Sequence, residues 1–132
     1  MMNDSKHYTT EYVEKLPENV RVDLIDGCLY YASPPGHRHQ QLLINLSRKI
    51  ADYIDNNSQI SDIYIRPFAV YLNNDNKTYV EPDISVICDK NKLDEKGCSG
   101  APDWIIEIVS PSSRRMDYFI KLFKYRNSGN IC

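Results

Sequence analysis

Tyr79-Val80-Glu81-Pro82-Asp83-Ile84-Ser85-Val86-Ile87-Cys88 is β-forming text with a proline in the middle. Valine, isoleucine and tyrosine favour a pleated, half-buried strand, while Pro82 has no backbone N–H to give a ladder. The segment predicts a strand broken at Pro82, with the carboxylate of Asp83 placed where the backbone is buried. Upstream, Ile63 to Leu72 has the same character and is interrupted at Pro67. The two are separated by the turn text Asn73-Asn74-Asp75-Asn76. Downstream, Asp103 to Val109, DWIIEIV, is apolar on both faces apart from its carboxylates, which predicts a central strand covered on two sides. Alternation places Asp103, Ile105, Glu107 and Val109 on one face and Trp104, Ile106 and Ile108 on the other.

Working outward, Val20, Val22 and Leu24 alternate with Arg21 and Asp23, the pair Asp26-Gly27 supplies a turn, and apolar text resumes from Cys28 to Ala32. This is a β-hairpin signal. Before it, Thr9 and Thr10 followed by Glu11 and Glu14 predict a short helix that stops at Pro17. After the rigid Ser33-Pro34-Pro35-Gly36 loop, Leu42, Leu43, Leu46, Ile50, Tyr53 and Ile54 recur at helical spacing through about residue 55. Asp89 to Pro102 is polar and contains glycine, so it reads as a loop. Ser110-Pro111-Ser112-Ser113 caps a final helix with Met116, Phe119, Ile120 and Phe123 on its buried face and Gly129 as the stop. This order of elements predicts an α/β layer architecture, a mixed sheet with helices packed on it. The alternative is α+β with the sheet open on one face.

A chain of 132 residues is expected to form a single domain spanning 1–132. Its 42% hydrophobic and 26% charged content is that of a globular protein, not of a disordered or fibrous one. The longest apolar runs are five residues, against the roughly 20 that a membrane helix needs, and the start MMNDSKHYTT lacks a secretory h-region. A cytoplasmic location and no membrane partner are the expectation. Cysteines at 28, 88, 98 and 132 form no CxxC pair, which speaks for reduced thiols and against a zinc site. The net charge of −2 conceals an asymmetry: residues 1–111 carry 11 Lys/Arg against 17 Asp/Glu, whereas 112–132 carry Arg114, Arg115, Lys121, Lys124 and Arg126 against Asp117 alone. An anion-facing surface is expected in that last stretch.

Asp83 and Glu107 demand an explanation, because a carboxylate is rarely buried without a partner and desolvating it alone costs several kcal/mol. One reading pairs them with Arg21, Arg66 or a lysine of the last helix. The other has them converge on a divalent metal, whose hard charge accepts carboxylate oxygens held on rigid strands.

A Pro-Asp on one strand followed by Glu-x-Lys on the next is the signature of the PD-(D/E)XK nucleases. Pro82-Asp83 and Glu107-Ile108-Val109 resemble it, with Val109 standing where lysine is expected. The set is wider than that pair. Val22-Asp23-Leu24-Ile25-Asp26-Gly27, Ser33-Pro34-Pro35 with His39 after it, Glu81 to Val86, Gly100-Ala101-Pro102-Asp103, Glu107 to Ser112, then Asp117, Lys121 and Tyr125 resemble the Uma-two (Uma2) family of restriction endonucleases, in order along nearly the whole chain.

The resemblance implies a restriction-endonuclease-like mixed β-sheet flanked by helices. It implies Asp83 and Glu107 as metal ligands, Mg²⁺ or Mn²⁺ as the metal, and Lys121 as a relocated catalytic lysine. It also implies a further strand with Tyr-Trp-Ile-Val-Asp-Pro-like text, so the chain reads as truncated at its C-terminus. Asp23, standing where relatives carry glutamate, and His39 are accessory candidates. Arg114, Arg115 and Lys124 are candidates for backbone-phosphate contacts. The expected activity is metal-dependent hydrolysis of DNA phosphodiester bonds, with a homodimer as the expected assembly, since cutting two antiparallel strands calls for twofold-related sites. The competing expectation is a nuclease-fold interaction domain without catalysis. Ser110, Ser112 and Ser113 follow no nucleophile elbow and read as helix-cap text, and Tyr30, Tyr31, Tyr64, Tyr71 and Tyr79 read as half-buried sheet residues.

Overall fold

Asp26 and Gly27 both have positive φ, 50° and 83°, the backbone of a two-residue hairpin turn whose twist matches its strands. They join β1 (Val22–Ile25) to β2 (Cys28–Tyr31) in antiparallel register, Val22 opposite Tyr31 and Ile25 opposite Cys28. The chain is described here from a computed structural model, over residues 7–32, 34–57, 60–73, 75–109 and 123–124. Ahead of the hairpin lies α1 (Thr10–Glu14), and behind it α2 (His37–Asn56). Both match the expected helices. Two residues of the predicted apolar stripe of α2, Leu42 and Tyr53, are exposed, and the buried stripe runs instead through Leu43, Ile50 and Ile54.

The two proline-broken segments each contribute to two sheets. β3 (Asp62–Ile65) and β6 (Ile84–Ile87) belong with β9 (Trp104–Ile106) to a three-stranded sheet ordered β3-β6-β9. β4 (Val70–Tyr71) and β5 (Tyr79–Val80) belong to a six-stranded sheet ordered β2-β1-β5-β4-β8-β7. Pro67 and Pro82 fall at the handovers, where the missing amide hydrogen ends one ladder before the next begins. The central strand of the smaller sheet is therefore β6, buried at all four positions. The expectation that 103–109 would be central is corrected: among the described residues β9 is an edge strand, and Trp104 is 43% exposed.

The stretch expected to be a loop, 89–102, is also more ordered than its polarity suggested. Asp89 caps a 3₁₀ turn (Lys90–Lys92), and β7 (Leu93–Asp94) and β8 (Gly97–Ser99) form a tight hairpin. β8 runs parallel to β4, Val70 opposite Cys98. Asp94 Oδ1 accepts from the amides of Lys96 (2.8 Å) and Gly97 (3.1 Å), an Asx-type closure. Gly97 itself has φ +144°, and a Cβ there would lie 2.2 Å from the carbonyl oxygen of Ala69. Only glycine fits.

Three apolar clusters hold the layers. One joins the two sheets through Ile25, Val70, Leu72, Val80, Ile87, Cys98 and Ile105. A second seats Leu43, Ile50 and Ile54 of α2 on Ile84 and Val86 of β6, and a third packs Val13 of α1 under the hairpin. The result is a mixed α/β arrangement with helices flanking the sheets. Among the described residues no helix is long and apolar enough to cross a membrane. Of the final helix only residues 123–124 are described; they are helical, and Phe123, expected on the buried face, is 68% exposed.

Candidate active site

The register of the three-stranded sheet brings the two predicted carboxylates together. Ile84 faces Ile106, so the next pair toward Pro82 is Asp83 opposite Glu107. Each carboxylate reaches across to the other strand's backbone. The Asp83 amide donates to Glu107 Oε1 at 3.2 Å, and the Ile108 amide donates to Asp83 Oδ2 at 2.8 Å. On the other flank the Arg66 amide donates to the Asp83 carbonyl at 3.1 Å, extending the Ile65–Ile84 pairing. Asp83 is thereby fixed from both neighbours.

The remaining oxygen, Asp83 Oδ1, lies 3.3 Å from His39 Nε2. His39 is in the first turn of α2, a turn without any acidic residue, and the packing of α2 on β6 delivers its ring to the sheet end. His39 Nδ1 is buried without a hydrogen-bond partner among the described residues. His37, two residues earlier, is exposed, as expected when positions i and i+2 do not share a helix face.

A second buried acid stands on the other side of Pro82. Glu81 is almost fully buried, accepts from the Tyr79 hydroxyl at 2.9 Å, and has Arg66 Nη2 at 3.9 Å from its other oxygen. Its amide donates to Asp23 Oδ1 at 2.9 Å. Burial, and then the charge of Glu81, push the Tyr79 hydroxyl well above its ordinary pKa, which keeps it a proton donor. Asp23, the accessory candidate, thus straps the backbone two residues before Asp83. Glu81, Tyr79 and Arg66 had no role assigned from sequence as a cluster. The available signal was an acid flanking Pro82 in strand text with Tyr79 at i−2, on the same face.

Lys124 Nζ is 2.6 Å from Asp26 Oδ1 and its side chain is only 13% exposed, which ties it to the β1–β2 turn. Val109 is half-exposed. Lys121, Arg114 and Arg115 lie outside the described residues. Among the described cysteines Cys28 is half-buried, Cys88 exposed and Cys98 buried, the Cys98 thiol being pushed up to about 11 chiefly by desolvation.

The donor set is suited to a hard divalent ion. Mg²⁺ is typically held by one or two carboxylates, with water or phosphate oxygens completing its shell, and two strand-anchored carboxylates meet that requirement. Among the described residues no group of three or more His, Cys, Asp and Glu side chains forms a larger metal cage.

With this geometry in place, comparison with protein-family models gives a match over residues 9–130 to Uma2, described as "putative restriction endonuclease". The chain belongs to the Uma2 family. The fold of this Uma2 chain is similar to that of a crystal structure described as a putative nuclease belonging to DUF820 from Anabaena variabilis ATCC 29413. The TM-score is 0.70 at 22% identity, covering 87% of this chain and 65% of that one. The Uma2 chain therefore spans about two thirds of the length of that relative. No curated protein matches it.

Proposed function

We propose that this Uma2 chain is a metal-dependent endonuclease that hydrolyses DNA phosphodiester bonds, with Asp83 and Glu107 holding Mg²⁺ or Mn²⁺. The observation that carries the reading is the reciprocal bracing of the two carboxylates, each hydrogen-bonded to the other strand's backbone at the Asp83 end of the smaller sheet. A metal held there would supply Lewis-acid polarisation of a phosphoryl oxygen and a water of lowered pKa.

The chain's own residues do the rest. The Ile108 amide fixes Oδ2 of Asp83 and His39 Nε2 faces Oδ1, so the carboxylate is pre-oriented before any ligand arrives. Lys121 orients the attacking water or neutralises charge developing on the phosphoryl group, the part that lysine would play at position 109. Arg114 and Arg115 contact flanking phosphates. Water adds to phosphorus, the ester bond opposite it breaks, and the products are a phosphomonoester and a hydroxyl. Two copies related by a twofold axis would place one site on each DNA strand, and the cytoplasm is the proposed location.

A cleavage assay on supercoiled and single-stranded DNA, with Mg²⁺ or Mn²⁺ and with EDTA, tests the reading. The expected result is metal-dependent nicking that Asp83→Asn removes. Val109, in the place of the signature lysine, favours the second reading, a nuclease-fold interaction domain. Absent cleavage together with metal-independent DNA binding would select it.

A further inference from the structure

We infer that Arg66 is a phosphate-binding residue of this site, its guanidinium receiving a backbone phosphate of the nucleic acid beside Asp83 and Glu107. The inference rests on the nuclease reading above, and deepens it by naming a cationic contact that neither the nuclease signature nor the basic C-terminal stretch contains.

Three observations carry it. First, β3, β6 and β9 place Arg66, Asp83 and Glu107 in one row. Ile65 faces Ile84 and Ile84 faces Ile106, and each pairing extends by one residue through the Arg66 amide to the Asp83 carbonyl and the Asp83 amide to Glu107. Directly opposed residues project to the same face, so the Arg66 side chain starts on the face of the carboxylate pair, and its guanidinium lies beside Glu81.

Second, the guanidinium is held but not satisfied. Arg66 Nη2 is buried and has no hydrogen-bond partner among the described residues, and the same is true of Glu81 Oε1, 3.9 Å away. That separation is an ion pair but not a hydrogen bond. That nitrogen is turned inward to Glu81, while the Arg66 side chain as a whole keeps 22% exposure, so part of the charged side chain remains accessible from outside. A phosphate oxygen is the acceptor matched to a guanidinium fork.

Third, Val109 brings no charge to the Glu107 face and is half-exposed. A positive charge for a phosphodiester at this end of the sheet, in addition to that of Lys121, is available from Arg66 at the end of β3. Glu81 and Tyr79 act as positioning residues, Glu81 aiming the guanidinium and Tyr79 holding Glu81 from behind at 2.9 Å.

The test is equilibrium binding of a fluorescent short duplex oligonucleotide to the full chain in EDTA, over a series of salt concentrations. Each phosphate contact contributes about one to the slope of log Kd against log salt. Arg66→Gln is expected to weaken binding about tenfold and lower that slope by about 1, with Arg66→Lys restoring the slope. A purely structural role would lower the melting temperature of Arg66→Gln and leave the slope unchanged, which overturns the inference. If Arg66→Gln does not fold, Arg66→Lys decides. It should bind about threefold more weakly than the parent, because a point charge replaces a planar fork; equal binding overturns the inference. Failure of the nuclease reading looks different: no metal-dependent cleavage by the parent chain, with the Arg66 effect on binding still present. Cleavage with binding indifferent to Arg66 rejects the inference alone.

Discussion

The six-stranded and three-stranded sheets treat charge in opposite ways. In the larger sheet, ionisable side chains serve as internal fasteners. Asp23 takes the Glu81 amide, Tyr71 donates to Glu14 at 2.7 Å, and Asp94 closes its own hairpin. In the smaller sheet, Arg66, Asp83 and Glu107 occupy one cross-strand row at the end where His39 arrives from α2. A fold that needed only stability would fill that row with apolar residues, as it does one step further along with Ile65, Ile84 and Ile106. The contrast separates scaffold from proposed site. It also shows why Pro82 matters: the two regions exchange strands there, and Glu81 and Asp83 stand one on each side of it.

The contrast can be broken from either end. Asp83→Asn keeps an acceptor for the Ile108 amide but removes a charge, and should cost about a thousandfold in cleavage, roughly 4 kcal/mol of barrier. The same variant should abolish any Mg²⁺-induced rise in melting temperature while its metal-free melting temperature stays near that of the parent. A metal-induced shift that survived would place the ion elsewhere. Gly97→Ala strikes the scaffold: its Cβ meets the Ala69 carbonyl at 2.2 Å, and strain plus overpacking should destabilise the fold by about 3 kcal/mol in chemical denaturation. The β4–β8 pairing fails first in this prediction, with backbone amides of 98–100 exchanging fastest.

Cys98 gives a chemical measure of the seam between the sheets. Its thiol is pushed up to about 11 from an ordinary 9, so its reaction with a thiolate-seeking alkylating agent at pH 8 should be about a hundredfold slower in the folded than in the unfolded chain. Because the raised value favours the neutral thiol in the folded state, this contribution to stability is complete below pH 9. It is lost as pH rises from 9 through 11. Asp23→Ala leaves the Glu81 amide buried without its acceptor and should cost about 1–3 kcal/mol, read by urea denaturation, with the metal response of Asp83 intact. Smallest of all, Lys90→Ala removes an exposed 3.5 Å pair with Asp62 and should change stability by no more than about 0.5 kcal/mol. A larger loss would mean that charges on the smaller sheet outside the Asp83 row are structural too.

Much of this was legible from residue order. Asp26-Gly27 announced the hairpin because a two-residue turn with both φ positive has few alternatives, and the α2 periodicity announced a helix that the sheet then received. Asp83 and Glu107 stood out because charge inside β-forming text is expensive. What escaped sequence reasoning was whatever depends on pairing between distant strands. Alternation says which face a residue takes but not which strand lies next to it, so β9 was expected at the centre and lies at an edge among the described residues. The 89–102 hairpin was hidden because its strands are two and three residues long, too short for a periodic signal. Arg66 and Glu81 became a unit only once β3 and β6 were in register.

The antiparallel bracing of Asp83 has a consequence for how the protein is made. As the chain leaves the ribosome, β3 and β6 can pair as soon as residue 87 has emerged, yet the amide that fixes Asp83 Oδ2 belongs to residue 108. At synthesis rates of about 5–20 residues per second, those 21 further residues take roughly 1–4 s. During that interval β6 lacks its β9 neighbour and Asp83 is a carboxylate without its clasp. A ribosome stalled between these two points would hold an α2–β3–β6 layer in which Asp83 is not yet braced, which makes the arrival of β9 the step that completes the proposed site.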